Sequence, residues 1–256
     1  MTSTVLRSPL AAGGIHRAGW LSLHAPVAIP EQRTATAPPA STDGRLPRTD
    51  NVLVVTARPG QESTYLGGVL YAFRRAGATL ALLSLTRGEA SEHNSTFEPL
   101  ERIRPTELAT AAGLLGISSV AVADFPDGKL GSVRQGDLIE RIYRAIVRHS
   151  ADMVLIADPT GGPLDDVAVA MAASTAAERA GLPAVARTAS GAGGGWIVDL
   201  GDEVEPARAI QRCAVAAHAS QSAALPGLID GMDVLNCLER LRWLVPPVAR
   251  MRPLPA

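Results

Sequence analysis

The sequence predicts an α/β fold: a Rossmann-like, mostly parallel sheet flanked by helices. Three observations predict it. Short runs rich in β-branched and other apolar residues recur along the chain: NVLVVTA, TLALLSL, SVAVADF, DMVLIADP and PAVAR. Between them lie longer segments with apolar residues at helical spacing, an alternation that reads as successive βαβ units. The strand runs are apolar at nearly every position, as expected of strands covered on both faces.

The chain has 256 residues, 46% of them apolar, which fits one domain with an extension better than two full domains. Residues 1–49, including TATAPPASTDGRLPRTD, mix Pro, Ala, Thr and Ser without periodicity and predict a disordered or loosely packed extension. The folded domain is expected over residues 50–256. NVLVVTA opens it, followed by one helix over QESTYLGGVLYAFRRAGA. TLALLSL leads into a polar loop and the helix LERIRPTELATAAGLLGI. SVAVADF precedes the helix GDLIERIYRAIVRHS, where Leu138, Ile142, Ala145 and Ile146 share one face and Glu140, Arg141, Arg144 and Arg148 are free to face solvent. DMVLIADP, the helix DDVAVAMAASTAAERAG and PAVAR complete the alternation. GAGGG, residues 191–195, leads into the strand WIVDL rather than a helix, so it reads as a flexible connection and not as a phosphate loop. Sites in open parallel sheets form at the carboxyl ends of strands. The loops 57–62, 86–98, 123–130 and 157–166 are therefore where chemistry is expected.

A net charge of −1, with Lys and Arg scattered among acids, offers no basic face to nucleic acid or anionic lipid. No apolar run is long enough for a signal peptide or a membrane span, so a cytoplasmic protein is expected. Cys213 and Cys237 lie in segments that read as helical, without CxxC spacing, and are expected to be small core residues in a reducing compartment. There is no GxSxG elbow and no base near either cysteine, which gives serine and cysteine hydrolase chemistry little support. The expected partner is a small molecule, and a homo-oligomer is compatible with the sequence.

Read in order, the four loops and their neighbours resemble the LmbE-like (PIG-L) N-acetylglucosaminyl deacetylase family, over roughly residues 51–243. Where the family has AHPDDE, this chain has Ala57, Arg58, Pro59, Gly60, Gln61 and Glu62. A glycine pair, Gly67 and Gly68, follows, then LTRGEAS, similar to the family's LTDGEAG. IRPTELATAAGLLGI keeps Arg104 and Glu107 of a matching helix, FPDGKL with Asp127 is similar to FPDGGL, and AHASQ around His218 is similar to AHRSQ. The resemblance implies an LmbE-like deacetylase fold and, for the family, zinc-dependent hydrolysis of N-acyl amino sugars.

The departures fall on the metal. In the family, the histidine and last aspartate of HPDD bind zinc, the middle aspartate is the general base, and a later HPDH supplies a final histidine. Carried over by position, Arg58 replaces the first zinc histidine, Gly60 the base and Gln61 the ligand aspartate. In GGPLDDVAV, Pro163 replaces a histidine, Asp165 matches the aspartate, and Asp166 replaces the metal-binding histidine. A guanidinium stays protonated and has no lone pair for a metal, and glycine cannot take a proton from water. No cofactor is expected, and the standard zinc mechanism is not expected to run.

Three functions remain open. One is a metal-free relative binding a sugar or an anionic ligand such as a phosphate, as a regulatory or scaffolding subunit. Another is an active de-N-acetylase or amidase with a site built from Asp165, Asp166 and Glu62. The third is a metal-independent enzyme in which Arg58 stabilises developing negative charge. Arg58 stands just before a predicted helix N-terminus, where free amides would also favour an anion. Its expected alternative is an ion pair with Glu62, Asp165 or Asp166, because loop charges usually find protein partners. Glu62, Asp165 and Asp166 could hold a hard cation such as Mg²⁺, but Asp165 and Asp166 are expected to cap the helix they open. Arg58, Gln61, Arg104 and Asp127 are the candidate substrate-binding residues, with Arg58 and Asp165 the catalytic candidates. For Arg104 and Asp127 a solvated helix arginine and a turn aspartate are equally good readings. His218, expected on a helix, reads as structural. His93 lies in the polar loop where a lid is expected.

Overall fold

In a computed structural model, residues 45–188, 195–224 and 238–247 are described. Of the predicted extension, residues 1–44 lie outside them, as does Cys237. Residues 45–49 form neither helix nor strand, and Leu46 packs against the core. Seven strands form one sheet: β1 Asn51–Thr56, β2 Thr79–Thr86, β3 Ser119–Phe125, β4 Met153–Ala157, β5 Ala184–Thr188, β6 Trp196–Asp199 and β7 Leu238–Val245. Their order is β3-β2-β1-β4-β5-β7-β6. The first five run parallel, and β7 is antiparallel to both β5 and β6. Strand order reverses between β1 and β4, and that crevice is where such sheets place ligands.

Among the described residues, six α-helices accompany the sheet: α1 Gln61–Thr64, α2 Gly67–Arg75, α3 Leu100–Leu115, α4 Gln135–Arg148, α5 Leu164–Ala180 and α6 Val204–Ala216. The two faces of β1 account for its unbroken apolar run. Leu53 and Val55 pack with Leu138 and Ile142 of α4 and Ala172 of α5. Val52 and Val54 pack on the opposite face with Leu70 and Phe73 of α2 and Leu108 of α3. The predicted amphipathic face of α4 is observed, since Leu138, Ile142, Ala145 and Ile146 are its buried residues.

The structure departs from expectation in three places. The helix predicted from Gln61 is broken into α1 and α2 at Tyr65 and Leu66. The glycine pair explains the tight packing there: a Cβ on Gly67 would collide with Gln211 of α6, and one on Gly68 with Glu239 and Arg208. Strand β7 was not foreseen, because its inward-facing Glu239 interrupts the apolar alternation. That carboxylate is 1% exposed and is neutralised by Arg187 at 3.0 Å and Arg208 at 2.9 Å. Cys213 is exposed on α6 and is not a core residue.

Candidate functional site

The chain leaves the sheet at Ala57, at the carboxyl end of β1, and turns through residues 58–60. Gly60 holds φ at 101°, which a residue with a Cβ adopts only under strain. The next two side chains fold back beneath the turn. Gln61 Oε1 accepts the amide of Ala57 at 2.8 Å and that of Arg58 at 3.4 Å, while its Nε2 donates to Asp166 Oδ1 at 2.8 Å. Glu62, wholly buried, accepts the Gly60 amide at 2.8 Å and the Ser63 hydroxyl at 2.6 Å, and lies 2.7 Å from His218 Nε2.

Burial pushes the Glu62 carboxyl upward, but the hydrogen bond and charge of His218 and the Ser63 hydroxyl outweigh it, so the group sits below the ordinary glutamate value. His218 lies in the turn after α6 rather than on a helix, and its Nδ1 has no hydrogen-bond partner among the described residues.

Beside the turn is a cavity of about 210 Å³ lined by Arg58, Ala90, Ser91, Arg104, Asp127, Gly128 and Gln221. Arg104 of α3 is 4% exposed, so it is not a solvated helix arginine. Its guanidinium donates to the carbonyls of Gly88 and Pro59, tying the loop after β2 to the turn after β1. Burial lowers its pKa and the nearby Arg58 charge acts in the same direction, while Asp127 opposes both. Asp127 accepts the Thr86 hydroxyl at 3.2 Å and the Ala90 amide at 3.0 Å. The expected lid loop is held to the segment after His218: the Ser91 hydroxyl donates to Gln221 Oε1, Gln221 Nε2 to the His93 carbonyl, and the Ser95 amide to the Ser220 carbonyl. Glu107 secures that segment by accepting the Ser220 amide and hydroxyl at 2.6 and 2.7 Å. The His93 side chain is exposed and does not line the cavity.

Several expectations about these residues are corrected. Arg58 does not pair with Glu62, Asp165 or Asp166; among the described residues its guanidinium makes no hydrogen bond or ion pair. Nor do free amides await an anion there, because Gln61 and Glu62 take those of residues 57, 58 and 60. Asp165 and Asp166 do lie in the first turn of α5, but Asp165 makes no capping bond: its two oxygens accept the amides of Gly128 and Leu130 at 2.8 Å each, folding the PDG turn onto the helix. Asp166 is held by Gln61 rather than capping. Glu62, Asp165 and Asp166 therefore do not form a common cation cage, and no group of three or more His, Cys, Asp or Glu among the described residues is arranged to hold a metal. Gln61, 5% exposed, lies under the turn and is not in the cavity lining. Ser91 and Gln221 line the cavity and were not singled out from the sequence, although AHASQ contains Gln221.

The residues at the positions that the resemblance assigns to zinc do not fit the ion. Arg58 is a cation without a lone pair, the Gln61 carbonyl oxygen already accepts two amides, and Asp166 is the one carboxylate left.

The strand order and the cavity at the carboxyl edge define a doubly wound α/β protein with a polar cleft beside the turn after β1. A family model described as "PIG-L: GlcNAc-PI de-N-acetylase" matches residues 53–177. Over this segment the chain carries a domain of the LmbE-like (PIG-L) N-acetylglucosaminyl deacetylase family. A curated relative, the 1D-myo-inositol 2-acetamido-2-deoxy-alpha-D-glucopyranoside deacetylase of Kineococcus radiotolerans, is 37% identical over 90 residues, which are 33% of this chain. The match spans only 25% of that relative's length. Among solved structures, a triple mutant of a deacetylase of the teicoplanin biosynthetic pathway superposes with a TM-score of 0.63 at 17% identity, over 78% of this chain and 100% of the other. The N,N'-diacetylchitobiose deacetylase of Pyrococcus horikoshii gives 0.62 at 16% identity, over 77% and 84%. At these identities the likeness is one of fold. No helix among the described residues is long and apolar enough to cross a membrane.

Proposed function

We propose that this chain keeps its family's cleft for a small ligand without the family's zinc-dependent deacetylation, and acts as a binding protein. One observation carries the reading: Gln61 Nε2 donates to Asp166 Oδ1 at 2.8 Å, so two positions that would share a metal are joined by a hydrogen bond instead. Gly60, at the position of the general base, has no side chain to accept a proton from water. Arg104, Asp127, Ser91 and Gln221 still define a polar cleft, in keeping with relatives whose names record amino-sugar substrates. The alternative amidase loses support because Asp165 and Glu62 are hydrogen-bonded into separate parts of the fold.

The test is acetate release from N-acetylglucosamine and N,N'-diacetylchitobiose, with and without added zinc. No release above the rate without protein is expected in either case. Zinc-stimulated turnover would overturn the reading.

A further inference from the structure

We infer that the cleft is an oxyanion site in which Arg58 takes a carboxylate or phosphoryl group of a molecule with space there for about one sugar ring. The inference rests on the reading of a retained cleft and goes beyond it in naming the ligand's chemistry.

The first observation is an imbalance of charge. The lining holds two guanidiniums, Arg58 and Arg104, against the single carboxylate of Asp127. The two arginines repel, which is why Arg58 is among the influences lowering the Arg104 pKa. The neighbouring carboxylates are already engaged. Asp165 holds the amides of Gly128 and Leu130, Glu62 is sealed beneath the turn with His218, and Asp166 accepts from Gln61.

The second observation is where donors remain. Arg104 donates from each terminal nitrogen to a carbonyl, its buried Nε has no hydrogen-bond partner among the described residues, and Gln221 Nε2 donates to the His93 carbonyl. The turn amides are bound to Gln61 and Glu62. Half-buried Arg58, with no hydrogen bond or ion pair among the described residues, is left facing the cleft with its N–H groups unused. A guanidinium offers five donors and no acceptor, in a planar fork that matches a carboxylate or phosphate edge. A cation would meet net positive charge, and a neutral sugar would leave the Arg58 charge uncompensated.

The third observation is size. The cavity of about 210 Å³ corresponds to about seven waters at roughly 30 Å³ each. One sugar ring or a smaller acid fills it, with Asp127 also in the lining to accept a hydroxyl. The loop around Arg58 is stitched together by Gln61 and Glu62 without help from Arg58, so this arginine has no structural duty to lose.

The experiment uses the full chain in a low-salt buffer free of phosphate. Calorimetric titration and thermal shift are measured with inorganic phosphate, glucuronate, glucosamine 6-phosphate and neutral N-acetylglucosamine. At least one anionic probe is expected to bind ten-fold or more tightly than N-acetylglucosamine, and preference between glucuronate and the phosphates identifies the oxyanion. Arg58→Gln is expected to lose at least ten-fold of that affinity while its unliganded Tm equals or exceeds that of the parent. Arg58→Lys retains the charge without the fork and should fall between. An unliganded Tm several degrees lower in Arg58→Gln would overturn the inference by showing a structural role, as would anion binding that the substitution leaves unchanged. Binding of N-acetylglucosamine alone, indifferent to Arg58, overturns the oxyanion site but leaves the retained cleft intact. Stoichiometric zinc uptake with no anion binding overturns both.

Discussion

Replacing Gln61 by Glu isolates the contact that stands where a shared metal would be. Glutamate is nearly isosteric and keeps the oxygen that accepts the Ala57 amide, so the change falls on the donor facing Asp166 Oδ1 at 2.8 Å. A hydrogen bond to a charged acceptor contributes about 1.5–3 kcal/mol. Two carboxylates about 4 Å apart repel by about 1 kcal/mol in water and about 4 kcal/mol at an effective dielectric near 20. Asp166 is partly exposed, so the lower ends apply and a loss of about 2–4 kcal/mol is expected, on the order of 10 °C in Tm for a domain of this size. Urea unfolding measures it. The introduced pair raises the folded pKa of at least one of its members, so the deficit is full above that value and shrinks as pH falls through it. Adding Asp166→Asn restores a donor opposite the new carboxylate, and the double variant should recover most of the loss. A Gln61→Glu variant as stable as the parent at neutral pH, or a double variant no more stable than the single, would show that the two side chains do not meet.

Asp165→Ala removes the acceptor of two backbone amides beneath the PDG turn and should destabilise by about 3 kcal/mol, with Asp165→Asn milder; chemical denaturation distinguishes this from a catalytic aspartate, whose loss would leave stability nearly unchanged. Glu62 has a folded pKa below its ordinary value, so its contribution is present above the unfolded pKa and is lost as pH falls through the folded one. Glu62→Gln should therefore flatten the acid limb of stability measured between about pH 3 and 6, and an unchanged slope would count against the buried Glu62–His218 pair. Arg58→His, Gln61→Asp and Asp166→His together should create zinc affinity readable by titration if the positional match to the family is right. Gly60 is kept in that variant because its φ of 101° would strain an aspartate by about 1–3 kcal/mol. A folded triple variant blind to zinc would refute the match.

The parallel half of the sheet was legible because strands buried on both faces carry a signal at every position, as in Val52–Val55, and because α4 separates its apolar and charged faces so cleanly. The antiparallel edge was not, since a strand that turns Glu239 inward announces itself only once Arg187 and Arg208 are seen around it. The same limit governs the cleft. Sequence order brought Arg58, Arg104 and Asp127 to one edge of the sheet, and the structure places all three around one cavity. Which carboxylate pairs with which donor depends on distances that spacing does not encode. Asp165 is consumed by amides more than thirty residues away, and Gln61 reaches across to Asp166 rather than into the cleft. The expected pairing of Arg58 failed for this reason: Glu62, Asp165 and Asp166 each accept from other donors.

The most direct test of the central claim is the metal content of protein purified without chelator or affinity-tag metal, followed by calorimetric titration with zinc. The account predicts far less than one equivalent bound and no high-affinity uptake, with Tm unchanged by chelator. Near one equivalent of zinc, released by chelator with a fall in Tm, would contradict it.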